Sequence, residues 1–364
     1  PSLAQLQSAF ENYVDTVIYA GGEEVSDIAT MISSFEASND AIATDAAIEL
    51  FVDFAETGDI EIEASQADTT FNSPYAGYAE INAAAMADGT TLTLSSAGEI
   101  NVDNANGSIT IEGNDDTLGS LTGELIIVAA DDGEEGVGDT LVVNTGSNHT
   151  SIRAVDADDM VNIDADAMSD GKDLRLRGEA NLNVDNANAA LVINAGGLSG
   201  KLDITVDDDG EEGVGDNLSV ITGFNDTYIV ALDSDDLVNI DAGDMVDGKL
   251  LNLSGEAHMD VGTFDSSIYI DADGGEDGDA LTGNLNVIVD DDNGEDVVKV
   301  DTGSNNTTID TADDEDYVDI DAEVMADDTT LTLIGAADMN VDNANGSISI
   351  EGNSETDGPL EGQL

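Results

Sequence analysis

A chain of 364 residues with 81 Asp and Glu against 7 Lys and Arg, a formal net charge of −74, offers no basic patch to nucleic acid, and an anionic membrane surface would repel it. Having no cysteine, it holds neither disulfides nor thiolate metal sites, and no run of about 18 apolar residues could insert into a bilayer. Yet 40% of its residues are hydrophobic, as in folded proteins rather than acidic tails. A compact body with this charge repels itself unless cations sit close to it. Divalent ions alone would have to number 74/2 = 37 to neutralise it, so a few specific sites within a diffuse cation atmosphere are expected. Adaptation to high salt also yields Asp/Glu-rich, Lys-poor chains. It does not explain acids that recur at the same places in a repeat, as they do here.

Residues 1–58 read as a small helical unit that caps the rest or serves assembly. Ser2 with Gln5 resembles a capping box, and Leu3, Leu6, Phe10, Val14 and Val17 mark one helical face that ends at Gly21-Gly22. Val25, Ile28, Ile32 and Phe35 mark a second helix, and Ile48, Phe51, Val52 and Ala55 a third. From residue 59 to 364 the pattern becomes apolar–polar alternation, beginning with Ile60-Glu61-Ile62-Glu63.

This second part is a repeat of about 80 residues, with copies beginning near 79, 161, 238 and 318. Met86, Met168, Met245 and Met325 lie 168 − 86 = 82, 245 − 168 = 77 and 325 − 245 = 80 residues apart. Six residues after each Met come Leu92/Leu94, Leu174/Leu176, Leu251/Leu253 and Leu331/Leu333. Fourteen after come Ile100/Val102, Leu182/Val184, Met259/Val261 and Met339/Val341. Twenty-three after come Ile109/Ile111, Leu191/Ile193, Ile268/Ile270 and Ile348/Ile350. Each pair reads as a short strand with both apolar residues on one face. Closely spaced short strands separated by Gly, Asn and Asp suit a mainly β repeat solenoid, in which each coil buries its face against its neighbours. Two strands per coil would make a β-roll and three a parallel β-helix, and the spacing alone does not choose. Tandem β-sandwiches compete, but the chain has no Trp and only 4% aromatic residues for sandwich cores. The fourth copy breaks off at the point that the first reaches at Leu125, which suggests a continuing chain or an end covered by another subunit.

Carboxylates concentrate in one loop of each copy. These are Asp131, Asp132, Glu134, Glu135 and Asp139 in the first, Asp207, Asp208, Asp209, Glu211, Glu212 and Asp216 in the second, and Asp290, Asp291, Asp292, Glu295 and Asp296 in the third. A second cluster follows each: Asp156, Asp158 and Asp159; Asp233, Asp235 and Asp236; Asp313, Asp314 and Asp316. Calcium takes six to eight oxygens at about 2.3–2.6 Å, and glycines let one loop present several of them. Stacking would place the second cluster beside the first loop, so that an ion could be shared between coils. Millimolar extracellular calcium fills even weak sites of this kind.

Gly136-Val137-Gly138-Asp139-Thr140-Leu141 and Gly213-Val214-Gly215-Asp216-Asn217-Leu218 resemble the RTX nonapeptide GGxGxDxLx of calcium-binding β-rolls, with one residue fewer between the second Gly and the Asp. Leu250-Leu251-Asn252-Leu253-Ser254-Gly255-Glu256-Ala257 and Thr91-Leu92-Thr93-Leu94 look like the strand repeats of RTX-related bacterial surface-layer proteins and large adhesins. The resemblance implies a secreted, calcium-assembled cell-surface protein.

Little points to catalysis. His149 and His258 occupy non-equivalent places in the repeat; Arg153, Arg175 and Arg177 lie in one region, but two of them sit on one strand and read as charge relief. The expectation is therefore an extracellular structural protein without enzymatic activity. It would self-assemble as a homo-oligomeric surface layer or filament, bind Ca2+, and meet cell-surface polysaccharide as its one other candidate partner. A calcium-stiffened adhesin stalk is the alternative. A β-helix polysaccharide-degrading enzyme would require acids unique to one repeat.

Overall fold

Alternation with Gly, Asn and Asp at the corners lets each strand end in a tight bend and the next run back on the other side of a narrow core. The computed structural model describes residues 48–51, 60–73, 77–105, 107–115, 118–130, 138–187, 190–207, 215–262, 266–274, 280–289, 296–312, 316–344, 349–351, 353–354 and 358–359. In it the chain forms a β-solenoid of two 14-stranded parallel sheets, with successive strands alternating between them. Sheet one begins with Ile48–Phe51 and Thr69–Ser73, and sheet two with Ile60–Glu63 and Tyr78–Asn82. Parallel neighbours ordinarily need a long crossover; here the crossover is the strand in the opposite sheet. Two strands per coil make this a two-sided solenoid rather than a three-sided helix. Coil length varies: Leu174 pairs with Ile193, 193 − 174 = 19 residues on, while Val192 pairs with Ser219, 219 − 192 = 27 on. The variation is absorbed at the corners, so the strands keep register.

The apolar pairs read from the sequence point inward. Ile81, Val102, Ile127, Ile152 and Leu176 form one unbroken column through five neighbouring strands of sheet two, each fully buried. The four methionines that mark the repeat are buried at equivalent corners of successive copies, which alternate between the two edges of the solenoid. There the Met86, Met168 and Met245 N–H groups donate to the Ala83, Ala165 and Ala242 carbonyls at 2.9–3.0 Å. At the corner stacked on each, one coil later, Asn104, Asn186 and Asn343 adopt left-handed φ of 52–56°, which Asn tolerates better than most residues. Their side-chain amides reach back to Asn82, Asp164 and Asp321 at the ends of strands one coil earlier.

One expectation is corrected. Ile48–Phe51, expected within a third helix, is a strand that pairs in parallel with Thr69–Ser73, Ile48 beside Thr69. Ile48-Glu49-Leu50-Phe51 alternates as well as it fits a helical face, and the open edge of sheet one supplies a ladder that a lone helical turn lacks. No helix occurs among the described residues. The first two expected helices, and the rest of the third, lie outside them.

Among the described residues the repeat contains an odd number of solenoid strands. From Met86 to Met168 they are Thr91–Ser96, Glu99–Asp103, Thr110–Glu112, Leu125–Ala129, Thr140–Asn144, Thr150–Ala154 and Met160–Asp164, which makes seven, or three and a half coils. Equivalent strands of successive copies therefore fall on opposite sheets. Thr91–Ser96 lies in sheet one, its counterpart Asp173–Gly178 in sheet two, Leu250–Gly255 in sheet one again and Thr330–Gly335 in sheet two.

Candidate metal centre

The half-coil offset governs where the acidic loops lie. The first and third leave the C-terminal ends of sheet-two strands Leu125–Ala129 and Leu285–Val289, whereas the second leaves the sheet-one strand Leu202–Val206. The strand ends that these loops leave thus alternate between the two edges of the solenoid from copy to copy. Of these loops, 131–137, 208–214 and 290–295 lie outside the described residues, as do Asp313 and Asp314. The positions of Asp131, Asp132, Glu134, Glu135, Asp208, Asp209, Glu211, Glu212, Asp290, Asp291, Asp292 and Glu295 are not described. Asp207 directly follows its strand and is partly exposed.

Each loop's last Asp meets the second cluster of its own copy, one coil on. The Asp139 N–H donates to Asp159 Oδ1 at 2.9 Å, while the Asp139 carbonyl accepts from the Met160 N–H at 2.9 Å. The second copy repeats this with the Asp216 N–H to Asp236 Oδ1 at 2.8 Å and the Leu237 N–H to the Asp216 carbonyl at 2.9 Å. In the third, the Asp296 N–H donates to Asp316 Oδ1 at 3.2 Å and the Tyr317 N–H to the Asp296 carbonyl at 2.9 Å. Contact is close enough to require glycine: a Cβ on Gly138 would sit 1.9 Å from the Asp158 carbonyl oxygen, and one on Gly215 1.7 Å from that of Asp235. Asp156 and Asp233 turn their own loops by accepting the Asp158 and Asp235 N–H groups at 2.9 and 2.8 Å. Among the described residues the last Asp of each loop lies beside the second cluster, where Asp159, Asp236 and Asp316 satisfy its backbone donor across coils.

Among the described residues, one group of carboxylates converges as a metal site requires. Asp271, Asp273 and Asp301 each offer an oxygen, and these oxygens lie within 4.8 Å of one another. Tyr269–Asp271 and Val297–Asp301 are neighbouring strands of sheet one, with Asp271 directly beside Asp301. The Asp273 N–H donates to Asp271 Oδ1 at 3.2 Å, turning the chain so that its own carboxyl comes back to the group. Asp301 is on an outward position yet only 7% exposed. Tyr269 donates its hydroxyl to Asp301 Oδ2, and the Lys299 ammonium lies 3.2 Å from Asp301 Oδ1 and 4.1 Å over the Tyr269 ring. Burial pushes the Asp271 carboxyl up to about 6, with the hydrogen bond and charge of Asp273 and the charge of Asp301 adding to it. Burial, the hydrogen bond to Asp301 and nearby carboxylates also hold the Tyr269 hydroxyl well above its ordinary value. Hard carboxylate oxygens under strain from each other's charge suit calcium or magnesium rather than a soft metal.

None of these three residues belongs to the acidic groups that recur in each copy, so repetition does not mark them in the sequence. The available signal is Asp271-Ala272-Asp273-Gly274, which matches the later part of the D-x-D-x-D-G opening of calcium loops, with Tyr269 where the first Asp would stand. The chain matches no protein-family model, no curated protein and no solved structure. Among the described residues no helix is long and apolar enough to cross a membrane.

Proposed function

We propose that this protein is a non-enzymatic structural subunit of an extracellular surface layer or filament, stiffened by calcium held in its acidic corners. The observation that carries the reading is the junction repeated in three copies, where the last Asp of each loop donates its N–H to the carboxylate of a second acidic cluster one coil away. Each junction concentrates negative charge between coils already bound by backbone hydrogen bonds. A divalent cation there relieves repulsion and links neighbouring coils, raising the stiffness of a rod whose stability is a sum of neighbour contacts. Asp271, Asp273 and Asp301 extend the same chemistry onto sheet one. The RTX resemblance agrees with calcium and with export to where calcium is about millimolar.

Thermal melting of the full chain with about 2 mM calcium and with EGTA, followed by electron microscopy of both samples, tests the reading. Calcium is expected to raise the melting temperature and to give ordered sheets or fibres that EGTA disperses. Identical melting and morphology in the two conditions would overturn it and leave the charge as adaptation to salt. A calcium-dependent rise in melting temperature without any ordered assembly would support the adhesin stalk instead.

A further inference from the structure

All seven cationic side chains fall between residues 153 and 299, and their placement is uneven. Lys201, Lys299 and Arg175 pair with Asp203, Asp301 and Asp173. Arg153 and Arg177 are exposed and make no ion pair or hydrogen bond among the described residues, in a chain with 81 carboxylates. They are direct neighbours, since Thr150–Ala154 and Asp173–Gly178 run side by side in sheet two with Arg153 beside Arg177 and Ser151 beside Arg175. Like charges on adjacent strands are unfavourable, and neither arginine offsets that cost with an ion pair of its own among the described residues.

Structural need does not explain them either. The counterpart of the Arg153–Arg177 pair is Val230–Ser254 on sheet one and Asp310–Ile334 on sheet two. The next strand also makes room for Arg177. A bulge in Val192–Leu198 shifts the register between Arg175 and Arg177 and sets Gly197 opposite Arg177, where an added Cβ would meet the Arg177 Cγ at 3.1 Å. Bulges of this kind re-aim side chains.

The face around the arginines is self-complementary. In sheet two the strands run in the order Ile60–Glu63, Tyr78–Asn82, Glu99–Asp103, Leu125–Ala129, Thr150–Ala154, Asp173–Gly178 and Val192–Leu198. The first three point Glu61, Glu63, Glu80, Glu99 and Asp103 outward. The middle strand presents only Ile126 and Val128, and the next two carry the three arginines and Asp173. The face therefore reads acidic, apolar, basic, with three cations to 5 + 1 = 6 carboxylates, against 7 to 81 for the whole chain.

We infer that this face of sheet two docks on the same face of a second copy, the two solenoids antiparallel about a two-fold axis that runs along Leu125–Ala129. That axis lays Ile126 and Val128 on their own counterparts and brings the Thr150–Ala154 and Asp173–Gly178 strands over Glu99–Asp103 and Tyr78–Asn82 of the other copy. An isologous contact requires this arrangement, in which each basic strand meets an acidic one twice over. The arginine forks can grip carboxylates in pairs. Seven strands of five residues cover about 30 Å by about 17 Å, roughly 500 Å2 in projection. That is smaller than the roughly 800 Å2 per partner of a standard interface, so the contact is expected to be modest in affinity and sensitive to salt. The inference rests on the self-assembly part of the function proposed above and supplies its partner and surface.

Sedimentation of the full chain in EGTA and about 0.15 M NaCl tests it without calcium. A dimer is expected at concentrations of about 100 μM, dissociating several-fold as NaCl rises toward about 1 M. Arg153→Glu/Arg175→Glu/Arg177→Glu and Glu80→Arg/Glu99→Arg/Asp103→Arg should each be monomeric, and their equimolar mixture should dimerise again. The rescue also shows that both variants fold. Because the native chain has no cysteine, Ile126→Cys should be joined to its own copy by a short bis-maleimide, while Ile288→Cys, exposed on a distant strand of sheet two, should not. A wild-type monomer, a dimer that survives the arginine reversal, or a mixture that stays monomeric would overturn the inference. If the arginine variant still forms calcium-ordered arrays, this contact falls and the proposed function stands. If the wild type dimerises in EGTA but never orders with calcium, the contact stands and that function falls.

Discussion

The column of side chains that passes through Asn144 and the one that passes through Asp301 occupy the same place in the repeat and the same sheet, yet they manage charge differently. In the first copy Glu112, Asn144, Asp164 and Asp185 succeed one another on neighbouring strands, and the Asn144 amide donates to Glu112. In the third copy the succession is Asp271, Asp301, Asp321 and Asp342, with no amide between the carboxylates. Where the first copy has Val142 and Thr110, the third has Lys299 and Tyr269, which cover and pair Asp301. A neutral spacer sufficed in one place. Removing it elsewhere called for a cation, a hydroxyl, and a carboxyl held up near 6.

The difference is confined to the outer layer, and that confinement is the easiest part to break. Ile111 and Ile270 are the inward counterparts beneath the two columns, both fully buried. Ile111→Ala and Ile270→Ala should each cost about 3 kcal/mol from lost burial and the cavity left behind. Urea denaturation of each variant is the measurement. A cost at one site more than twice that at the other would show that the outer column reaches into the core.

The inward layer is also what the sequence displayed best. Leu92/Leu94 and Ile100/Val102 announce strands because period-two burial leaves an alternating trace whatever covers the other face. The methionine landmark was equally visible, though its role as a corner filler was not. The odd strand count was hidden, since Leu125–Ala129 and Thr140–Asn144 flank acidic loops of differing length and escape a search anchored on the methionines. Without that count, the alternation between edges of the strand ends that the loops leave could not be seen. For the site, Asp159, Asp236 and Asp316 stood out by repetition, but their hydrogen bonds to the backbone of another coil depend on stacking register. Asp271 and Asp301 are 301 − 271 = 30 residues apart in sequence and meet only because one coil separates them. Repetition, the signal that exposed the junctions, worked against finding a group peculiar to one copy.

Asp271→Asn tests the charge strain directly. Because burial and neighbouring carboxylates raise the folded-state carboxyl from 3.8 to about 6, ionising it opposes folding. Its favourable contribution is fully present below about pH 4 and is lost as pH rises through about 6. The asparagine variant should therefore be more stable than the wild type at about pH 7. A tenfold change in proton affinity is worth about 1.4 kcal/mol, so the gain should be roughly 2 kcal/mol after a discount for lost contacts. Below about pH 4 the advantage should vanish. Melting curves of the pair from about pH 3.5 to about pH 8 read this difference, and a gain independent of pH would contradict the strain. Calcium at millimolar concentration should erase the gain at neutral pH if the group takes the ion.

Lys299→Met removes the partner of Asp301 and should cost about 1 kcal/mol at neutral pH, since the ammonium is half exposed and solvent screens the pair. Val142→Met, at the equivalent place in the first copy, should be within about 0.5 kcal/mol of neutral. Hydrogen exchange of the Val297–Asp301 and Thr140–Asn144 strands compares the two locally. Equal effects would mean that the lysine is there for its stem rather than for its charge.

The smallest effect is also the sharpest, because it asks whether the third copy's three residues work as a unit. Asn144→Asp alone places an unrelieved carboxylate beside Glu112 and Asp164 and removes the amide donor between them. It should cost about 1 kcal/mol at neutral pH and less in acid. Adding Val142→Lys and Thr110→Tyr rebuilds the third copy's arrangement on the first, on strands already in the same register. The triple variant should recover about half of that loss, and the recovery should exceed the sum of the effects of Val142→Lys and Thr110→Tyr made on the native chain, as coupled neighbours require. Additive behaviour in that cycle would mean that Lys299 and Tyr269 merely sit beside Asp301, and the contrast between the two columns would reduce to separate substitutions.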